Sequence, residues 1–251
     1  MVIIVISILA ATGLIAWGVI AYLGRSQTLS VKSIENPRGD LHVIRLAKPD
    51  TMIWKAGSYA KITLPSTASG GEKNNHKGEQ TSRWLSIASS PEDNEIIILT
   101  HNSGSPYKKA LTSLPAGSQV KMSWLESSLS VTDDNEPLVC FASDVGISAI
   151  RPIVRQWAGK RPITLYHLDK GVKIFDKELS ELANKTANMT YETNASLSQS
   201  QERFKQAINT YGKKAQYLVA GQPDDVKTMK KLLRDNAMHD NVKSSTFRGL
   251  K

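Results

Sequence analysis

Leu138-Val139-Cys140-Phe141-Ala142 is an unbroken apolar run, and it constrains the fold more than any other segment. A strand with one wet face alternates polar and apolar residues, whereas a strand apolar at every position is covered on both faces. A turn and a helical stretch from Ala149 to Trp157 follow the run. Pro162-Ile163-Thr164-Leu165-Tyr166-His167 reads as a second strand, followed by a helix over Lys177 to Ala187. Gln216-Tyr217-Leu218-Val219-Ala220 reads as a third, followed by a helix over Asp224 to Asn236. Apolar strands alternating with helices predict an α/β domain, a parallel sheet covered by helices on both sides.

Upstream the pattern changes. Leu41 to Leu46, Tyr59 to Leu64 and Val120 to Trp124 alternate, and Glu95 to Thr100 is rich in β-branched residues. Short strands punctuated by Gly, Pro and Asn predict an antiparallel β-barrel or sandwich over 25–132. The polar stretch Asp133-Asp134-Asn135-Glu136-Pro137 marks the boundary, which places the α/β domain at 137–251. Residues 65–82 (PSTASGGEKNNHKGEQTS) read as a polar, glycine-rich exposed loop.

Val2 to Leu23 carries no charged side chain. At about 1.5 Å per residue this run reaches roughly 33 Å, enough for a hydrocarbon core of about 30 Å. It lacks the basic start of a signal peptide and the polar face of a core helix, so 1–24 reads as a single transmembrane helix. Trp17 and Tyr22 suit the interface. Arg25, Lys32 and Arg38 follow the run and nothing basic precedes it, which places the remaining domains on the cytoplasmic side of a cell membrane.

The chain has 32 Lys and Arg against 23 Asp and Glu, a net charge of +9 that favours anionic partners. No RNA-recognition aromatic pattern or DNA-reading helix accompanies that charge, so nucleic acid is excluded as a partner. The one cysteine excludes an intrachain disulfide, a cysteine-ligated cluster and an all-cysteine zinc site. Cys140 lies within the apolar run and reads as a small core residue. The five histidines show no close metal-ligand spacing, and no metal is expected.

Three stretches could carry chemistry. In Arg83-Trp84-Leu85-Ser86 a guanidinium and a hydroxyl share one extended segment, suited to a phosphate and a ring edge. An ordinary edge strand with a surface arginine would read the same. Ser105-Pro106-Tyr107-Lys108-Lys109-Ala110-Leu111 opens a short helix with Ser as N-cap and Pro at the first position. Ser143-Asp144-Val145-Gly146-Ile147-Ser148 lies where a strand turns into a helix, the usual pyrophosphate cradle of nucleotide-binding sheets.

Taken in order, RWLSIASSP, SPYKKALTSLPAGSQV, PLVCFASDVGISAIRPIV, ITLYH, YLVAGQPDDVKTMKKLL and NVKSSTFRG resemble the ferredoxin–NADP reductase-like flavoproteins over nearly all of 31–251. The resemblance implies an FAD-binding barrel followed by a domain for NADH or NADPH. It implies that Arg83 pairs with the flavin pyrophosphate, that Leu85 stands where an aromatic residue usually meets the isoalloxazine, that Ser86 lies near flavin N5, and that Ser105 and its helix hold phosphate. Val145, Gly146, Ile147 and Ser148 would face the nicotinamide nucleotide, Gly221 and Gln222 would flank the nicotinamide, and Phe247 would lie near the flavin.

Against the family pattern, paired glycines are replaced by Ser143 and Asp144, whose bulk and charge would oppose a pyrophosphate unless turned away. The family's glycine-rich turn after the barrel is replaced by Ser123-Trp124-Leu125-Glu126-Ser127-Ser128. The expected activity is hydride transfer from NAD(P)H to FAD and onward transfer to a quinone, ferric iron, free flavin or protein acceptor, with no catalytic acid–base pair. The competing readings are a non-catalytic flavin-binding or scaffold module and an electron-accepting partner subunit. Asp169 favours a free ribose hydroxyl and Lys170 a 2′-phosphate, so NADH and NADPH both stay open.

Overall fold

The computed structural model describes residues 12–15, 17–18, 26–65 and 81–247. Most of the 1–24 transmembrane expectation, and residues 66–80 of the expected loop, lie outside the described residues. Among the described residues no helix is long and apolar enough to cross a membrane.

Six strands form the first unit: β1 (Gln27–Arg38), β2 (Leu41–Ala47), β3 (Ser58–Thr63), β4 (Ser82–Ser86), β5 (Glu95–His101) and β6 (Gln119–Ser127). They pair antiparallel in the order β4-β3-β6-β1-β2-β5. Ile87 bridges to Ile98, and the Ala88 N–H donates to the Ile97 carbonyl at 2.8 Å, so the sheet closes into a barrel. Strand β1 serves two neighbours, pairing through Gln27–Ser30 with β6 and through Val31–Arg38 with β2. Two register shifts in β1 supply the bend that closure needs. Helix α1 (Pro106–Thr112) plugs the barrel, burying Tyr107 and Leu111 in its core and donating the Tyr107 hydroxyl to the Ile62 carbonyl at 2.9 Å.

The second unit is a five-stranded parallel sheet in the order β11-β10-β7-β8-β9. Its strands are β7 (Leu138–Ser143), β8 (Ile163–Leu168), β9 (Met189–Asn194), β10 (Gln216–Gly221) and β11 (Val242–Thr246). Its helices are α2 (Ile147–Trp157), α3 (Asp176–Lys185), α4 (Leu197–Tyr211) and α5 (Pro223–Asp235). Counted from β7, this is a doubly wound arrangement whose chain direction switches between β7 and β10. The apolar run of β7 is buried on both faces, as its composition requires. Leu138, Cys140 and Ala142 join a core with α2, α3 and the barrel, while Val139 and Phe141 join a second core around Phe204 of α4.

Two expectations need correction. The strand read as third is the fourth of the sheet, because β9 and α4 intervene. Strand β9 is an edge with exposed polar positions, and α4 spreads its core contacts, Leu197, Phe204, Ala207, Ile208 and Tyr211, thinly among polar residues, so neither displays a strong pattern. The barrel strand expected to end at Trp124 continues to Ser127.

Helix α2 joins the units. Arg151 donates to the Ala88 carbonyl at 2.6 Å and to Glu178 at 2.9 Å, and lies over the Phe175 ring. Arg155 grips both carboxylate oxygens of Asp93 at 2.6 and 2.7 Å. Burial would raise the Asp93 carboxyl, but the hydrogen bonds and charge of Arg155, with the Ser90 N–H and Arg151, hold it below the ordinary value. Fully buried Arg161, in the turn before β8, binds Asp134 of the linker and donates to the Thr132 carbonyl at 3.0 Å, which fastens the chain between the units.

Candidate functional site

A cavity of about 450 Å³ opens between barrel and parallel sheet. Register explains its barrel wall. Arg83 and Leu85 pair with Ile62 and Ala60, and so point toward the barrel interior, while Trp84 and Ser86 pair with Lys61 and Tyr59 on the outer face. The cavity sits at that rim and meets residues of both faces: Tyr59, Arg83, Trp84, Leu85 and Ser86 all line it. From the sheet side come Val145 and Phe247. Strand β11 ends beside Gly221, and the Phe247 N–H donates to the Gly221 carbonyl at 3.0 Å, which delivers the ring to the cavity.

The electrostatics of the cavity are one-sided. The Arg83 guanidinium lies 5.4 Å from the Tyr107 ring centroid and donates to the Ser82 carbonyl at 3.1 Å. Lys108, buried one helical turn after the N-cap, binds the Thr100 hydroxyl and lines the same space. Burial, and then the neighbouring Arg83 charge, push the Lys108 amine down to about 8. Among the described residues lining the cavity none is acidic. Two cations converging on a cavity whose described lining includes no carboxylate suit an anionic ligand. Phe247 presents the apolar wall, with the buried Leu85, Leu99 and Val145 behind the surface, and the Ser86 hydroxyl lines the cavity too. This set fits a flavin nucleotide: phosphate at the cations, ring system at the apolar wall.

Sequence reasoning named Arg83, Leu85, Ser86, Val145 and Phe247, and the structure brings these together. Leu85 is only 9% exposed and also belongs to the barrel core, so it offers the cavity little surface. Ser105 does not line the cavity, because its hydroxyl accepts the Lys108 N–H at 3.3 Å as the helix cap. Lys108, Thr100 and Tyr59 were missed. The Tyr59 hydroxyl donates to Glu126 at 2.6 Å, within the segment that replaces the expected glycine-rich turn.

The remaining named residues, Gly146, Ile147, Ser148, Gly221 and Gln222, lie at the switch point, where the turns after β7 and β10 meet. A Cβ on Gly146 would come within 2.4 Å of the Ala220 carbonyl oxygen, and one on Gly221 within 2.0 Å of Ser143 Oγ. The turns are therefore packed backbone against backbone. Ser143 Oγ accepts the Gln222 N–H at 3.1 Å. Asp144 takes a left-handed φ of 54° and is 3% exposed. Its carboxylate receives His101 Nε2 at 2.6 Å and Gln222 Nε2 at 2.7 Å, together with the Val145 N–H. Cys140 is fully buried, which pushes its thiol up to about 12 and makes it inert. Among the described residues no cluster of His, Cys, Asp and Glu could hold a metal.

No known protein-family signature matches the chain, and no curated protein sequence does either. Solved structures do share its fold. The Neisseria gonorrhoeae ferredoxin NADP+ reductase, with FAD and NADP bound, has a TM-score of 0.67 at 14% identity, covering 88% of this chain and 98% of its own. The cytochrome b5 reductase domain of Ulva prolifera nitrate reductase gives 0.68 at 12%, covering 89% and 97%. The FAD/NAD-binding domain of Vibrio cholerae nitric oxide dioxygenase gives 0.67 at 14%, covering 88% and 98%. At such identities the likeness establishes the fold, the barrel-plus-parallel-sheet architecture of ferredoxin–NADP reductase-like flavoproteins.

Proposed function

We propose that this chain is a flavin-dependent oxidoreductase that holds FAD in the cavity between barrel and sheet and uses NAD(P)H as donor. The observation that carries the reading is the convergence of Arg83 and Lys108 on a cavity whose described lining has no acid and whose other wall presents Phe247. When bound, the flavin would supply the redox chemistry, accepting a hydride at N5 from C4 of NAD(P)H and passing two electrons to an acceptor. The chain's part is binding and orientation. Arg83 and Lys108 hold the phosphate charge, Ser86 offers its hydroxyl to the ring edge, and Phe247 screens the ring from water.

Purified protein should carry visible flavin absorbance that bleaches anaerobically on adding NADH or NADPH. Absence of bound flavin after reconstitution with excess FAD would refute the reading.

Membrane attachment through the amino-terminal apolar run belongs to the same proposal. Leu14, Ile15 and Trp17 are helical and about 70% exposed (70%, 67% and 70%), so nothing described in the fold covers them. A reporter fused at Lys251 should be cytoplasmic and sediment with membranes. Recovery of the full chain in the soluble fraction would remove the anchor from the proposal, and labelling from outside the cell would reverse its orientation.

A further inference from the structure

In doubly wound sheets a dinucleotide pyrophosphate approaches the turns at the switch point and accepts their backbone N–H groups. Here the protein's own side chains take those donors. Asp144 accepts the Val145 N–H, and Ser143 Oγ accepts the Gln222 N–H. The Asp144 carboxylate is buried and held from both sides by His101 and Gln222.

The contacts extend outward on each side. His101 reaches Asp40 through Nδ1 at 2.8 Å, so both ring nitrogens face carboxylates. Carboxylates only accept, and the doubly protonated imidazolium satisfies both. On the other side Gln222 Oε1 accepts from Lys170 Nζ at 2.7 Å, and the same amine pairs with Asp225 at 2.7 Å. One polar ladder thus ties the barrel to the turns after β7, β8 and β10, across the crevice a dinucleotide would enter.

We infer that Asp144 is a tethered anion that competes with the pyrophosphate of NAD(P)H, so that the nucleotide binds only when the ladder from His101 to Lys170 opens. The inference rests on the proposed reading of the switch point as the nucleotide site. It assigns Asp144 as a residue that sets nucleotide affinity without touching the flavin. Glycine accepts the left-handed backbone of residue 144 without strain, so Asp144→Gly removes the carboxylate and keeps the turn.

The deciding measurement is calorimetric titration of the full chain with ADP-ribose, which presents the pyrophosphate without redox chemistry. Asp144→Gly should bind it at least about tenfold more tightly than wild type, equivalent to about 1.4 kcal/mol. In anaerobic flavin bleaching, the nucleotide concentration for half-saturation should fall by a similar factor while the saturated rate stays within about twofold. Should the glycine variant fail to fold, Asp144→Asn removes the charge at constant size and should shift ADP-ribose affinity in the same direction. Equal ADP-ribose affinity in wild type and variant overturns the inference. The titration needs neither bound flavin nor turnover, so loss of FAD binding would sink the oxidoreductase reading while leaving this result interpretable.

Discussion

Lys108 carries the clearest consequence at the scale of single residues. Its amine is pushed down to about 8 by burial and by Arg83, so it is a cation below that value and neutral above it. An anionic ligand favours the charged form. FAD binding near pH 8 should therefore take up protons, visible as different apparent enthalpies in buffers of different ionisation enthalpy, and affinity should weaken as pH rises further. Lys108→Met should abolish the uptake. An unchanged uptake would place the anion elsewhere. Arg83→Ala removes a charge-assisted contact worth roughly 1.5–3 kcal/mol and should weaken FAD binding at least about tenfold.

His101 and Asp144 titrate in opposite senses. The hydrogen bond to Asp144 raises His101 above its ordinary 6.5, against burial. Burial would raise Asp144, but His101, Gln222 and the Val145 N–H hold it below its ordinary 3.8. The His101 contribution is complete below 6.5 and is lost as pH rises through its higher folded value. The Asp144 contribution is complete above 3.8 and is lost as pH falls through its lower folded value. The melting temperature of His101→Gln should thus fall below that of wild type by most near about pH 5 and by least in alkali. A pH-independent difference would show that charge is not what holds the pair.

Among the elements, legibility followed pattern strength. Strands β2, β3 and β5 alternate or are rich in branched residues, and β7 is apolar from Leu138 to Ala142, so each was readable from its own residues. Strand β9 and helix α4 draw their stability from partners distant in sequence and carry little signal of their own. Helix α1 shows why half of the site was hidden. Lys108 and Lys109 are adjacent and chemically identical, but helical phase puts Lys108 with Tyr107 and Leu111 on the buried face and leaves Lys109 outside. Asp144 stood out as a departure from a familiar turn, yet its partner His101 lies 43 residues earlier, and only the fold shows the two in contact. The turns themselves have no slack. Gly146→Ala places a methyl group 2.4 Å from a backbone oxygen that cannot rotate away. It should cost at least about 1–3 kcal/mol, or several degrees of melting temperature, without altering any charged group. A variant as stable as wild type would show that the turns can separate at little cost.

Across the whole molecule, Arg151 and Arg155 make the two units one. Replacing Arg151 with Met strands the Ala88 carbonyl and removes a partner from both Asp93 and Glu178. Asp93 and Glu178 both keep Arg155, so the main cost is the stranded buried carbonyl, about 1–3 kcal/mol. Calorimetry should then resolve two unfolding transitions in the variant and one in wild type. A single transition in the variant would mean that the apolar contact of Ile150 and Ile153 with the barrel suffices.

If FAD fills the cavity as proposed, the buried Lys108 beside Arg83 also governs how long the polypeptide survives in a cell. On that reading the chain without ligand keeps Lys108 buried beside the Arg83 charge at the cost that the depressed Lys108 amine registers. Ligand binding to the folded form alone adds stability that grows with the logarithm of free ligand over its dissociation constant. Proteases act on the fraction that opens, so newly made protein that meets FAD late is degraded first. Its steady-state abundance should follow riboflavin supply at constant messenger level, and Lys108→Met should loosen that dependence.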